Sequence, residues 1–370
     1  ATWRWVFFIN IPLVLATVLI TRAAVPETRN EHAARHIDWP GAVSITLGLG
    51  GLIFALIEGP GRGWDDPLVV GTLVVGVVGL AAFVLIEARS SHPMVPLRLF
   101  RSRQFSGTNV ATLAIYGALS GALLFLVLDL QQIQGYSALQ AGLALLPFTL
   151  VMLLFSRRAG MLADRFGPRL PMTVGPTIIF VGYLLMLRER PGASYVEVLL
   201  PAVLVLAVGM VITVAPLTTA VMTAVSEDFS GVASGVNNAA SRVAAALAVA
   251  GLGVLVAAQF GAALEQRAGQ LPISTEARAQ LLAEHDDLGN TRVPATVGPA
   301  HAPAVRQAID DAFTEAYQAA MLVCALLALA GGIISCLTIP GRLLPFGARA
   351  PTADRRSAAG PPDTVATGRG

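Results

Sequence analysis

The chain has 370 residues, of which 55% are hydrophobic and only 13% charged, against roughly 25% charged in an ordinary soluble domain. That balance excludes a soluble globular protein and points to an all-α polytopic membrane protein. A formal charge of +2 lacks the large basic excess of a nucleic-acid binder, and all 25 basic residues are Arg.

A span needs about 20 apolar residues. About nine windows of that kind follow one another, over residues 5–21, 39–57, 67–86, 105–128, 139–155, 171–187, 196–215, 232–258 and 313–338. The first opens almost at Ala1, without the basic flank and cleavage site of a signal peptide, so an internal start is expected. Trp3 and Trp5 read as part of an outer aromatic belt. His32 and His36 have the spacing of helical metal ligands but not the internal Glu of a zinc-protease helix. They read as a solvated loop, and no metal or other cofactor is expected. Gly48, Gly50 and Gly51 lie inside an apolar window with no soluble strand before it, so they read as close helix packing rather than a nucleotide loop.

Alternate connections differ in Arg content by about twofold. The Arg-rich set includes Arg22, Arg101, Arg158, Arg169 and the tail, and short Arg-rich loops stay cytoplasmic. This puts the N-terminus outside and the C-terminus inside a cell membrane. The connection at 226–231, with Glu227, Asp228 and no Arg, does not follow the pattern.

Asp129 lies 24 residues after Phe105, about 36 Å along a helix and past a hydrocarbon core of about 30 Å. It reads as an outer-interface residue, with a substrate-vestibule carboxylate as the alternative. Arg242 lies about 20 Å along its window from Phe229, with about 25 Å left to Gln259. A charge at mid-membrane costs at least about 2.5–3.5 kcal/mol, so it should face a polar partner. Asn238 is one turn earlier and Asn237 is adjacent to it. Arg242 either snorkels or braces neighbouring carbonyls, or has a functional contact, with a substrate or with an acidic proton site elsewhere in the protein. Met210 and Thr213 lie in the window at 196–215, with Thr218 and Thr219 just past it; Thr hydroxyls there can serve helix carbonyls.

The connection over 259–311 is polar and falls outside. Within it 275–283 reads as a short helix capped by Ser274 or Thr275. Val305, Ile309, Phe313 and Tyr317 recur every four residues, an amphipathic lead-in to the last span. The tail over 339–370, rich in Pro, Gly, Ala and Arg, is expected to be disordered. Cys324 and Cys336 lie about 18 Å apart on one helix, too far for a disulfide.

Three segments resemble one family. Trp3-Arg4-Trp5-Val6-Phe7-Phe8-Ile9-Asn10-Ile11-Pro12 is similar to the opening of the sixth span of the fourteen-span drug:proton antiporters (EmrB/QacA type) of the major facilitator superfamily. Leu130-Gln131-Gln132-Ile133-Gln134-Gly135-Tyr136-Ser137, running to Gln140-Ala141-Gly142 and Pro147, is similar to that family's ninth-to-tenth connection. Gly231-Val232-Ala233-Ser234-Gly235-Val236-Asn237-Asn238 through Arg242 is similar to a variant of its thirteenth span. At Asp129 the chain departs from the family, which more often has an aromatic residue there. Gly160, Asp164, Arg165, Gly167 and Arg169 match the superfamily's cytoplasmic loop signature, either a latch broken on reorientation or a loop whose Arg residues only set topology.

The resemblance implies a chain lacking the first five spans, with 1–86 holding the last span of an N-terminal half and two linker spans. Residues 87–338 would form a six-helix C-terminal half, with Met210, Thr213, Thr218 and Thr219 as cavity-lining candidates. It implies efflux of small lipophilic or cationic drugs, with protons as the coupling ion and the N-terminal half needed for function. A membrane-embedded enzyme or a sensor is the alternative; no His, Asp, Glu or Cys cluster marks the first, and no cytoplasmic output domain marks the second.

Overall fold

The structure, a computed structural model, describes residues 8–24, 38–90, 93–283 and 291–341. Trp3, Trp5, His32, His36 and the tail from 342 lie outside the described residues, as does the side chain of Asp164. Every regular element among the described residues is helical. Eight helical stretches are long and apolar enough to cross a membrane, and the apolar helix α1 (Asn10–Ala24) is shorter.

Helices α2 (Trp39–Arg62) and α3 (Pro67–Arg89) form an antiparallel hairpin. Each starts with an Asp cap and a proline in the first turn, where the missing N–H costs nothing. Asp38 accepts from the Gly41 amide at 2.8 Å and Asp66 from the Leu68 amide at 2.8 Å. Lipid is as apolar as the side chains, so such helices associate through close packing of small residues. A Cβ on Gly51 would stand 2.6 Å from the Thr72 carbonyl oxygen, and one on Gly48 2.8 Å from the Leu80 amide nitrogen. Gly50, grouped with them in sequence, faces open space. Gly51→Val should therefore destabilise the hairpin by about 1–3 kcal/mol through overpacking, read as a lower melting temperature in detergent. Gly50→Val should leave it unchanged.

The bundle holds α4 (Arg103–Leu128), α6 (Leu146–Phe166), α7 (Arg169–Met186), α8 (Leu200–Met222), α9 (Ser230–Ala268) and α11 (Ala302–Thr338). Helix α11 packs on α4, α7 and α9, α8 packs on α6 and α7, and α2 touches α9. The α7–α8 crossing is tight: a Cβ on Gly209 would meet the Ile179 amide nitrogen at 2.7 Å. Phe125, Phe260, Phe313 and Tyr317 are among the largest side chains fully buried in the core.

Two boundaries differ from the sequence reading. The window expected at 139–155 is broken into α5 (Ala138–Ala144) and α6, because Pro147 lacks the N–H that a continuous helix needs there. Ser137 and Gln140 form a capping box at the start of α5. The polar connection expected from 259 begins only after Ala268, since Phe260, Ala263, Leu264 and Ala268 keep a buried stripe and the helix continues. The short helix is found as α10 (Thr275–Ala283), with Ser274 Oγ accepting from the Ala277 amide at 3.1 Å. The lead-in is also found: Val305, Ile309, Phe313 and Tyr317 are all buried, and α11 runs unbroken through them.

Candidate functional site

A polar cavity of about 440 Å³ opens between α4, α8 and α9. Asn237, Asn238 and Arg242 of α9 line it, with Thr218 of α8 and Tyr116 and Ser120 of α4. Asn237 is the anchor of this wall. Its Nδ2 donates to Thr112 Oγ1 at 2.8 Å and to Asn109 Oδ1 at 3.3 Å, tying α9 to α4. Thr112 and Asn109 are buried and spend their own donors on the helix carbonyls of Thr108 and Phe105, each at 2.9 Å.

The α4 polar face was not singled out from sequence. Gln104, Thr108, Thr112, Tyr116 and Ser120 recur every four residues, a polar stripe on one helix face. At its start, Gln104 Nε2 donates to the Ala220 carbonyl at 2.9 Å and to Thr223 Oγ1 at 3.1 Å on α8. Reading polar periodicity as carefully as apolar periodicity would have found it.

Among the described residues, Arg242 is the sole charged one lining this cavity. Its side chain is exposed and makes no hydrogen bond or ion pair with any described residue. Because α9 is longer than expected, Arg242 is not central in the helix; it lies about 18 Å from the Ser230 end. In a hydrocarbon layer of about 30 Å that began at Ser230 it would lie within the layer.

Two cavity-lining candidates are placed elsewhere. Met210 and Thr213 are buried in the packing between α8 and its neighbours. Thr213 Oγ1 donates to the Gly209 carbonyl at 2.7 Å, the intrahelical bond that lets a hydroxyl sit in an apolar contact. Thr218 is exposed and lines the cavity; Thr219 is half-buried.

A second cavity of about 790 Å³ lies between the α2–α3 hairpin and α4 and α9, lined mainly by apolar side chains such as Leu49, Phe83, Phe100 and Val236. Asn109 lines it as well, so the Asn237–Asn109 contact joins the wall of one cavity to that of the other.

In the loop between α6 and α7, Gly167 takes φ +75°, a left-handed turn that favours glycine, and lets α7 start after Pro168. Arg165 lies over the Phe166 ring at 5.3 Å. Arg169 reaches Cys336 Sγ at 3.8 Å on α11, within the same bundle. Gly160 faces open space.

Asp129 does not face the interface as its count along the helix suggested. It begins a π-helical turn, Asp129–Ile133, that continues α4 and packs against α11. The side chain is fully buried and neither carboxylate oxygen has a hydrogen-bond partner. Counting residues along a helix says nothing of which face a residue takes, and here the wider π turn sets the face.

Residues 1–249 match the Major Facilitator Superfamily model. The chain is 32% identical over 283 residues to the multidrug resistance protein Stp of Mycobacterium tuberculosis (strain ATCC 25618 / H37Rv), covering 76% of this chain and 52% of that protein. It is 27% identical over 338 residues to the tetracenomycin C resistance and export protein of Streptomyces glaucescens, covering 91% and 63%. With the puromycin resistance protein pur8 of Streptomyces alboniger it shares 31% identity over 298 residues, 80% and 55% of the two chains. The chain thus spans a little over half the length of these relatives. It belongs to the Major Facilitator Superfamily and is a multi-pass membrane protein.

Proposed function

We propose that this chain is the substrate-facing C-terminal half, with two linker spans, of a fourteen-span exporter that expels small lipophilic drugs in exchange for protons. The observation that carries the reading is Arg242: an exposed guanidinium without a partner among the described residues, on a polar cavity wall in an apolar helix. A charge at that depth is too costly to face lipid. The face that carries it is therefore covered by polar protein or by a water-filled path, as a central transport cavity between two halves provides. The resistance and export names of three relatives support drugs as the substrate class.

The cavity chemistry refines that class. Its lining carries a positive charge and no negative one. Neutral or anionic lipophilic compounds fit this wall, and a cationic drug would need an acid from another part of the transporter. In this reading α2 and α3 are the linker spans, the first half supplies the opposite wall, and the Gly160–Arg169 loop is a cytoplasmic latch. Protein containing only residues 1–370 should give no substrate efflux in proteoliposomes with an imposed proton gradient, whereas the protein with the upstream half restored should give efflux that a protonophore abolishes. Efflux by these residues alone would contradict the two-half cavity.

Orientation is tested separately. After replacing Cys324 and Cys336, both free thiols, a Cys at exposed Ala279 of α10 should react with an impermeant reagent in intact cells. A Cys at exposed Ser226, between α8 and α9, should react only after the membrane is opened. The opposite pattern would invert the topology.

A further inference from the structure

At the α10 end of the bundle a second acid, Glu189, joins Asp129. Glu189 lies in the connection after α7 and is 2% exposed. Gln134 lies between them in the chain path: its backbone N–H donates to the Asp129 backbone carbonyl at 3.0 Å, closing the π turn, and its Nε2 donates to Glu189 Oε1 at 3.1 Å. Tyr317 of α11 lies within electrostatic reach of Asp129, Glu189, Tyr183 and Cys324. Five buried oxygens of this group have no hydrogen-bond partner: both of Asp129, Oε2 of Glu189, and the hydroxyls of Tyr183 and Tyr317.

Among the described residues neither carboxylate forms an ion pair. Arg306 donates to the Gln132 carbonyl at 3.0 Å and pairs with Asp310 at 3.1 Å. Arg267 pairs with Glu315 at 3.0 Å, and Arg190 lines an outer cavity of about 810 Å³. From α7 the group is faced by Tyr183, and from α11 by Tyr317 and Cys324. Two ionised carboxylates in a dry site without a counter-charge are each strongly disfavoured. The economical remedy is a proton, which turns one acceptor into a donor and removes one of the two charges.

We propose that Asp129 and Glu189 form a buried carboxyl pair that binds one exchangeable proton at the α10 end of the bundle. A metal is the weaker occupant, since no group of three or more His, Cys, Asp or Glu among the described residues could hold one. The site lies next to the outer cavity, which Arg190 and Gln318 line. Gln318 Nε2 donates to the Glu189 carbonyl at 3.1 Å. Burial, and then the neighbouring Asp129 charge, push the Glu189 carboxyl up to about 7. The site deepens the proton-coupled reading by naming where a proton sits, but its binding rests on these side chains alone.

The test is infrared difference spectroscopy of the full-length transporter in lipid, without substrate, titrated through pH 7. Wild type should lose the carbonyl band of one protonated carboxyl with a midpoint near that pH. In Asp129→Asn the remaining Glu189 should titrate at a lower pH, because its charged neighbour is gone. Glu189→Gln should likewise shift the midpoint, and the double variant should lose the band. An unchanged band in the double variant, or a wild-type titration confined to the ordinary carboxylate range, would overturn the proposal. So would a midpoint that moves with sodium at constant ionic strength, which would assign the site to a metal cation. The wild-type titration needs no variant to fold. A normal titration in a protein that exports nothing would refute drug export and leave the proton site standing.

Discussion

Arg242→Gln should lower substrate efflux by about tenfold or more while the amount of protein in the membrane stays the same. The side chain contributes no hydrogen bond or ion pair within the described bundle, so removing its charge leaves no orphaned partner in this half. Folding should tolerate the change, and the lost insertion cost of a buried charge favours the variant slightly. Transport is different. A charge-assisted hydrogen bond to substrate or to an acid of the opposite half contributes about 1.5–3 kcal/mol, and each 1.4 kcal/mol is about tenfold. Arg242→Lys should recover part of the activity, because it keeps the charge but loses the planar fork of donors. The measurement is initial efflux rate normalised to membrane abundance. A rate equal to wild type would remove Arg242 from the transport cycle, and disappearance of the protein would make it structural.

Asn237→Leu should damage both stability and transport. Asn237 supplies the donor for Asn109 Oδ1 and Thr112 Oγ1, on a neighbouring helix, and both residues are buried. Leucine leaves Asn109 Oδ1 without that donor, a cost of about 1–3 kcal/mol, visible as a lower melting temperature of the detergent-solubilised protein. The α4–α9 contact also forms the wall between the polar and apolar cavities, so efflux should fall as well. Asn237→Asp distinguishes a lost donor from a lost shape. Ionised, it presents an acceptor to the acceptor Asn109 Oδ1 and should be as harmful as Leu; at acidic pH the protonated acid regains a donor and should recover. Equal melting temperatures for all three proteins would show that the bridge contributes nothing.

Most of the helical framework was legible because apolar runs, prolines and caps act locally. Ser274 and the four-residue series from Val305 to Tyr317 sufficed to place α10 and the start of α11. Gly48 and Gly51 were legible as packing residues because backbone contact is what glycine permits in an apolar helix. What could not be read was the facing of polar residues. Met210 and Thr213 share a helix with Thr218, and only the neighbours decide that the first two are enclosed and the third open. The burial of Asp129 follows from a π turn with no local signature, which a count along the helix does not show. Asn109 was missed because its role depends on Asn237, 128 positions away.

The unbroken length of α9 and α11 has a mechanical consequence. Their 39 and 37 residues span about 58 and 56 Å, nearly twice a hydrocarbon core of about 30 Å. Ala277 and Leu281 of α10 are buried in the same core as Phe260 and Phe313, so the protruding cap is seated on these two rods. Any tilt of the bundle within the membrane is thus magnified at the cap, as at the tip of a pointer. A pair of spin labels, one on α10 and one on the opposite half of the proposed full-length transporter, would register reorientation as a change in distance, without a probe in the transport path.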